Sequence, residues 1–330
     1  MKKLFLSAVV MLTAIAMFAQ VKTELCVMKD NKVAYSIDID EVDSIIFVDV
    51  TDPADNGAIS GIFSVDDDKK VRFSKGNLQY QASTSTWKFA DNQYDFVGDD
   101  TEGNVYTGTK KSNNEDISST YSGWIDLFCW GTSGWYSGAA AYLPYSVIND
   151  NSYYYPGGNP TNSLTGDYAN ADWGVYNAIS NGGNQPGLWR TLTMEEWHYL
   201  FTTRPKASIL YGAATVNGVY GYVLLPDDWY PPTGLGFTGN PKNWTTNVYN
   251  VDQWRDMQNS GAVFLPCAGF RIGPGMASGF NTGLYWSASI CTNTAGAVYS
   301  VEFLADYLDY MRDGSGRAWG LSVRLVQDVP

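Results

Sequence analysis

Through most of this chain, apolar and polar residues alternate with a period of two. They do so in short runs broken by Gly, Asn, Asp and Ser, and this pattern predicts strands. Lys70 to Phe73, Leu78 to Gln81 and Trp87 to Phe89 are such runs. So are Ala262 to Leu265, Leu284 to Ser289, Ala297 to Phe303, Leu308 to Arg312 and Gly320 to Val326. Asp313-Gly314 and Ser315-Gly316 predict a tight connection before the last of these. Thr215-Val216 and Val219 to Leu225 flank Asn217-Gly218, and Asn-Gly between strand formers is a strong hairpin signal. The period changes to that of a helix twice. Thr193 is followed three positions on by Glu196, a capping box, and Met194, Trp197 and Phe201 then share one face. Asn250 and Gln253 repeat the arrangement before Val251, Trp254 and Met257, with Gly261 as the stop. Asp99 to Gly123 and Tyr136 to Asn170 are polar or rich in Gly, Asn, Ser and Tyr, and predict long surface insertions. Few helices, many short strands and long loops predict an α+β domain in which strands dominate.

The first fifty residues read differently. Lys2 and Lys3 precede an apolar stretch from Leu4 to Phe18, and Ala19 stands before Gln20. That is the layout of a secretory signal peptide over residues 1–19, with an apolar run too short for a comfortable bilayer span. Val21 to Asp49 predicts a small β unit within residues 20–50. Thr23 to Lys29 and Lys32 to Ile37 alternate around Asp30-Asn31, and an acidic stretch leads to the apolar run Ile45 to Val48. Thr51 to Ala58, with Pro53 and Gly57, is the expected linker, and the main domain runs over 59–330. The mature chain is expected outside the cytoplasm with no transmembrane segment.

The formal net charge of the chain is −13 at neutral pH, and loss of Lys2 and Lys3 with the leader makes it more negative. Such a chain repels phosphate backbones, so nucleic acid is not an expected partner. Cys26, Cys129, Cys267 and Cys291 allow three pairings. Cys267 and Cys291 flank one predicted sheet region and form the favoured disulfide. Four buried free thiols are the alternative. No CxxC or Cys/His cluster proposes a structural zinc.

Seven phrases, in this order, carry a resemblance. They are Phe73 to Tyr80, Trp124 to Phe128, Trp189 to Thr193 with Glu196-Trp197, Leu225 to Trp229, Gly261 to Pro266, Leu284 to Ser289 and Gly320 to Val326. Together they resemble exported bacterial proteins of the major-paralogous-domain type. That group is related in fold to the formylglycine-generating-enzyme-like branch of the C-type-lectin fold. The resemblance covers about Ile59 to Gln327, and it implies a C-type-lectin-like domain with two helices flanking a twisted sheet. It also implies a binding face on the C-terminal strands, a region that is diversified in retroelement-diversified proteins of this fold. The small N-terminal unit is similar to a leader module of such exported proteins. The redox-active cysteine pair of the formylglycine-generating branch has no counterpart in Trp286 to Ser289. The Glu-Pro-Asn, Gln-Pro-Asp and Trp-Asn-Asp motifs of calcium-dependent lectins are also missing from the chain.

The chemistry-bearing residues narrow the function further. His198 is the single histidine, placed in the first helix beside Trp197, and no serine lies in a G-x-S-x-G turn. No catalytic residue is therefore assigned. Asp66-Asp67-Asp68 and Asp99-Asp100 are expected to be solvated turns, since a calcium loop needs spaced oxygens and a specific Gly. No cofactor is expected; calcium stays open without a motif. The tail is the richest region. It holds Glu302, Tyr307, Asp309, Tyr310, Arg312, Arg317 and Trp319, residue types that anchor interfaces and stack on sugars. With Trp286 they form the expected ligand-binding set, and the polar stretch Asp306 to Trp319 is the expected exposed face. The reading is an exported, surface-associated binding protein engaging a glycan or protein ligand through that face. Two alternatives stand beside it. One is a structural component of the envelope or a fibre, docking through the N-terminal β unit. The other is a glycan-acting hydrolase using two carboxylates, with Asp227-Asp228 and Glu195-Glu196 as candidates.

Overall fold

A computed structural model of the chain describes residues 24–29, 32–38, 56–97, 117–277 and 280–330. The expected leader, the run Ile45 to Val48, most of the linker and most of the segment Asp99 to Gly123 lie outside the described residues. The chain divides into two units, Met1–Val50 and Thr51–Pro330.

In the first unit, β1 (Glu24–Lys29) and β2 (Lys32–Asp38) pair antiparallel, from Glu24 opposite Asp38 to Lys29 opposite Lys32. The expected Asp30-Asn31 turn lies outside the described residues. Both strands match the alternating runs.

In the second unit the alternating runs become β3 (Phe63–Ser64), β4 (Lys70–Phe73), β5 (Leu78–Gln81) and β6 (Thr86–Phe89). The short pairs β7 (Trp124–Ile125), β8 (Leu127–Phe128) and β9 (Arg190–Thr191) follow, then β10 (Tyr211–Val216), β11 (Val219–Leu224), β12 (Val248–Tyr249) and β13 (Val263–Pro266). The C-terminal part holds β14 (Arg271–Ile272), β15 (Gly275–Met276), β16 (Gly283–Ile290), β17 (Ala297–Phe303), β18 (Leu308–Gly316), β19 (Trp319–Ser322) and β20 (Leu325–Val329). The principal sheet runs β15-β14-β19-β16-β17-β18, with β8 paired to β19. Smaller sheets run β12-β10-β11-β13, β3-β4-β20-β9 and β6-β5-β7. The helices are short: α1 (Trp173–Tyr176), α2 (Met194–His198) and α3 (Val251–Asn259). The unit is thus mixed α+β and strand-dominated.

β16 sits at the centre of the core. Leu284, Trp286 and Ala288 join one apolar cluster, and Tyr285 joins another that contains Val301, Phe303 and Trp197. A strand buried on both faces needs a nearly continuous apolar run, which Leu-Tyr-Trp-Ser-Ala supplies. Next to it, Arg324 is buried with no carboxylate ligand among the described residues. Its guanidinium donates to Asn77 Oδ1, the Phe264 carbonyl and Gln93 Oε1, and burial pushes its pKa down to about 9.

Both capping boxes form as their sequences predict. Thr193 accepts from the Glu196 amide while Glu196 accepts from the Thr193 amide, and Asn250 and Gln253 do the same for α3. α2 lasts barely more than a turn. A π-turn over Tyr199–Thr203 prolongs it and ends at Arg204, which takes an extended ψ of 150° because Pro205 follows. The hairpin β10–β11 turns on Asn217 and Gly218, both at positive φ (49° and 81°), as the primed turn demands. Gly261 ends α3 at φ +93° with its Cα wedged against Gly61.

Three expectations fail. Asp313-Gly314 and Ser315-Gly316 are not a turn; they belong to β18, and the turn falls at Arg317-Ala318. Gly314, at φ +86°, instead serves a bulge, since Asp313 and Gly314 together lie opposite Tyr299. The run Gly320 to Val326 breaks at Val323-Arg324 into β19 and β20, which pair in different sheets. Cys267 and Cys291 are not joined. They are buried free thiols in separate apolar clusters, and burial pushes the Cys267 thiol well up. Flanking the same strand did not bring them together, because each packs into its own core.

Candidate functional site

Strands β17 and β18 gather most of the tail residues, and two bulges on β18 decide where each one points. Glu302 lies opposite Asp309 and Ser300 opposite Arg312, so Tyr310 and Met311 together face the single residue Val301. An extra residue of this kind bends the strand and re-aims its side chains. Arg312 is turned toward Glu302 and donates from Nε to Glu302 Oε2 at 2.7 Å, and from Nη1 to Ser315 Oγ at 2.7 Å. Its guanidinium lies over the Trp319 ring, 5.3 Å from the centroid, and Trp319 rests on Phe270 at 5.2 Å. Side chains of Glu302 and Arg312 each keep about a quarter of their surface open (21% and 24%).

At the β17–β18 turn, Tyr307 is 45% exposed and donates its hydroxyl to Asp309 Oδ2 at 3.3 Å. The other Asp309 oxygen accepts the Met311 amide at 3.0 Å. Burial and then the Asp309 carboxylate raise the Tyr307 phenol above its ordinary pKa, so it stays a neutral donor. Like charges directly opposite on a ladder repel; Arg312 offsets the Glu302 side of the Glu302–Asp309 pair, and among the described residues no basic side chain forms an ion pair with Asp309. The result is an open strip of Tyr307, Asp309, Glu302, Arg312 and Trp319. It offers carboxylate acceptors, guanidinium and phenol donors, and a flat aromatic surface for planar or hydroxyl-rich ligands.

Three of the expected site residues fall elsewhere. Trp286 is 1% exposed and donates its indole N–H to the Phe128 carbonyl at 2.7 Å. It is a core residue because both faces of β16 are covered. Arg317 is fully buried between the rings of Trp130 (4.4 Å) and Tyr155 (4.8 Å), with hydrogen bonds to the Gly296 and Pro160 carbonyls. Burial without a counter-charge pushes its pKa down to about 10. It fastens the insertion around Tyr155 to the sheet. Tyr310 packs against α2, with its ring 5.3 Å from His198 and 6.3 Å from Phe201. The stretch Asp306 to Trp319 is therefore open only in part: Ser315 to Ala318 are buried.

Two of the carboxylates weighed for hydrolysis have structural duties. Asp227 accepts from the Ser64 amide and hydroxyl and from Arg204 at 3.3 Å. Glu196 holds its cap and a two-pronged bond with Arg190 at 2.6 and 2.8 Å. Their neighbours Asp228 and Glu195 point outward, as adjacent residues should.

One feature escaped the sequence. An open cleft of about 440 Å³ lies between the turn after β3, the start of α2, and Met311. Val65, Asp66, Lys69, Met194, Glu195 and Met311 line it, with His198 and Tyr199 at its side. A second hollow of about 330 Å³ adjoins it, sharing Lys69, Thr193 and Glu196 and extending to Arg190 and Asp328. Asp66, Glu195 and Met311 are too far apart in the chain for any spacing rule to unite them. Among the described residues no group of three or more His, Cys, Asp or Glu is placed to hold a metal ion, and no helix is long and apolar enough to cross a membrane. No protein-family model, curated protein or solved structure matches the chain.

Proposed function

We propose that this chain is an exported, surface-associated binding protein that engages a glycan or protein ligand through the strip on β17–β18. The observation that carries the reading is the Glu302–Arg312–Trp319 stack continued by Asp309 and Tyr307. These groups are preorganised by mutual hydrogen bonds yet partly open to solvent. Holding a charged side chain in one geometry before binding removes an entropic cost that the complex would otherwise bear. Export rests on Lys2, Lys3 and the apolar stretch Leu4 to Phe18. The C-type-lectin-like architecture remains part of the proposal, supported by the two capped helices and the strand-rich C-terminal third.

The test is binding of the exported protein to a glycan array and to cell-surface extracts, with and without calcium. Tyr307→Ala with Asp309→Asn should weaken any discrete hit at least tenfold while circular dichroism and the melting curve stay put. A hit that the double variant leaves unchanged removes the strip from the site. Trp286→Phe serves as an internal control, because that side chain cannot reach a ligand.

A further inference from the structure

We infer that the cleft between α2, the turn after β3 and Met311 receives a basic side chain, a lysine or an arginine, presented by a protein partner. The inference does not depend on the β17–β18 strip, and its test uses different residues. Three features argue for it.

The first is size and lining. About 440 Å³ suits one extended side chain and its flanking backbone rather than a bare ion. Met194 and Met311, both half-buried, supply the apolar surface above the buried Val65. Thioethers are flexible and polarizable, and they adapt to an aliphatic stem of uncertain path. The stems of Lys and Arg are the amphipathic groups that use such surface while keeping the charge at its edge.

The second is charge. The carboxylates lining the cleft are Asp66, Glu195 and Glu196, and the basic side chains are Lys69 and the His198 imidazole at its side. Glu196 is neutralised by the two-pronged bond to Arg190, and it is buried. Asp66 and Glu195 are exposed and have no ion-pair partner among the described residues; Asp66 accepts from the Asp67 amide and Glu195 from the Ser289 hydroxyl. The cleft mouth is therefore carboxylate-rich beyond what Lys69 offsets. The Tyr199 phenol registers the same field. Its pKa is raised first by burial, then by its hydrogen bond to Asp67 and by the charges of Asp67, Asp66 and Asp227. A free anion would meet this field unfavourably, and a cation would be drawn to it.

The third is rigidity. Asp66 sits on a turn closed by the Lys69 carbonyl and the Val65 amide, bonded at 3.0 Å. Glu195 is fixed in the first turn of a helix whose capping box is complete. Met311 is placed by the β18 bulge. Each wall is thus held by backbone bonds before any ligand arrives, which favours recognition over induced ordering.

The experiment observes the two methionine methyls directly. The protein is labelled at Met methyl carbons, and the Met194 and Met311 signals are identified through Met194→Leu and Met311→Leu. The pentapeptides Gly-Gly-Arg-Gly-Gly, Gly-Gly-Leu-Gly-Gly and Gly-Gly-Glu-Gly-Gly are titrated at low salt, with agmatine as a small-amine arm. The expected result is saturable movement of both methyls with the arginine peptide. Asp66→Asn/Glu195→Gln should weaken it at least tenfold, and the leucine and glutamate peptides should bind at least tenfold more weakly. Agmatine binding as tightly as the peptide would keep the cationic site and assign it to free amines. Still methyls with every probe, equal response to the leucine peptide, or a double variant that binds the arginine peptide normally would each overturn the inference. Both changed residues are exposed, so the variant should melt like the parent, which separates lost binding from lost folding.

Discussion

Arg190 joins β9, α2 and β20 through one guanidinium, and Glu196→Ala is the perturbation that probes it. Arg190 Nη1 and Nη2 donate to the two Glu196 oxygens at 2.6 and 2.8 Å, and Nε and Nη2 donate to Asp328. Glu196 also returns a cap to the Thr193 amide at 2.9 Å. Its side chain is nearly buried (7% exposed), Arg190 is 23% exposed, and Asp328 is 63% exposed. Hydrogen bonds to a charged group contribute about 1.5–3 kcal/mol when shielded, and a lost N-terminal cap costs about 1 kcal/mol. Arg190 keeps Asp328 and some water, so the deletion should cost about 3 kcal/mol rather than the full penalty of a stranded buried charge. Glu196→Gln keeps the cap and should cost about 2 kcal/mol, and Thr193→Ala about 1 kcal/mol. Urea unfolding at pH 7 measures all three, and a double-mutant cycle with Arg190→Met isolates the pair. If Glu196→Ala costs no more than Thr193→Ala, the two-pronged bond contributes nothing and the reasoning is refuted.

The same network sets a pH dependence. The Arg190 guanidinium bonded to it holds the Asp328 carboxyl below its ordinary value. A depressed folded value means that the contribution is complete above the unfolded value near pH 4, and is lost as pH falls through the folded value. Asp328→Asn should therefore flatten part of the stability loss on acidification. It should cost little at pH 7, because an exposed ion pair is screened by solvent.

Three further outcomes are expected. Trp286→Ala should cost about 3–5 kcal/mol, since it empties a core site and strands the Phe128 carbonyl; Trp286→Phe should cost less, and neither should alter ligand contacts directly. Gly261→Ala should cost about 2–3 kcal/mol, because a Cβ there meets the Gly61 Cα at 2.7 Å and φ is +93°; hydrogen exchange should show the end of α3 opening first. Thiol titration of the native protein should find Cys26 reactive at once, and Cys129, Cys267 and Cys291 reactive only in denaturant; an immediate reaction at Cys267 would contradict its burial.

Local chemistry explains how much was readable in advance. Both capping boxes, the Asn217-Gly218 turn and the bounds of β4, β5 and β17 follow from interactions within a few residues, so they are written in the chain itself. The tail shows where such reading stops. Asp313-Gly314 has turn chemistry, yet a positive φ at Gly314 serves a bulge equally well, and pairing with β17 makes that choice. Alternation also fails to say which side is wet when both sides are covered, as on β16.

By itself, then, the sequence determined the class of the fold, the two helix starts, the principal hairpin and the acidic charge of the chain. Tertiary structure alone decided which aromatic and charged residues are available. Trp286 and Arg317 went inside because neighbouring strands and an insertion cover them. Glu302, Arg312 and Trp319 met because a bulge turned one side chain against the alternation of its strand. The cleft exists only because the turn after β3, the start of α2 and β18 converge in space, and contacts between residues so far apart in the chain leave no periodic trace in the sequence.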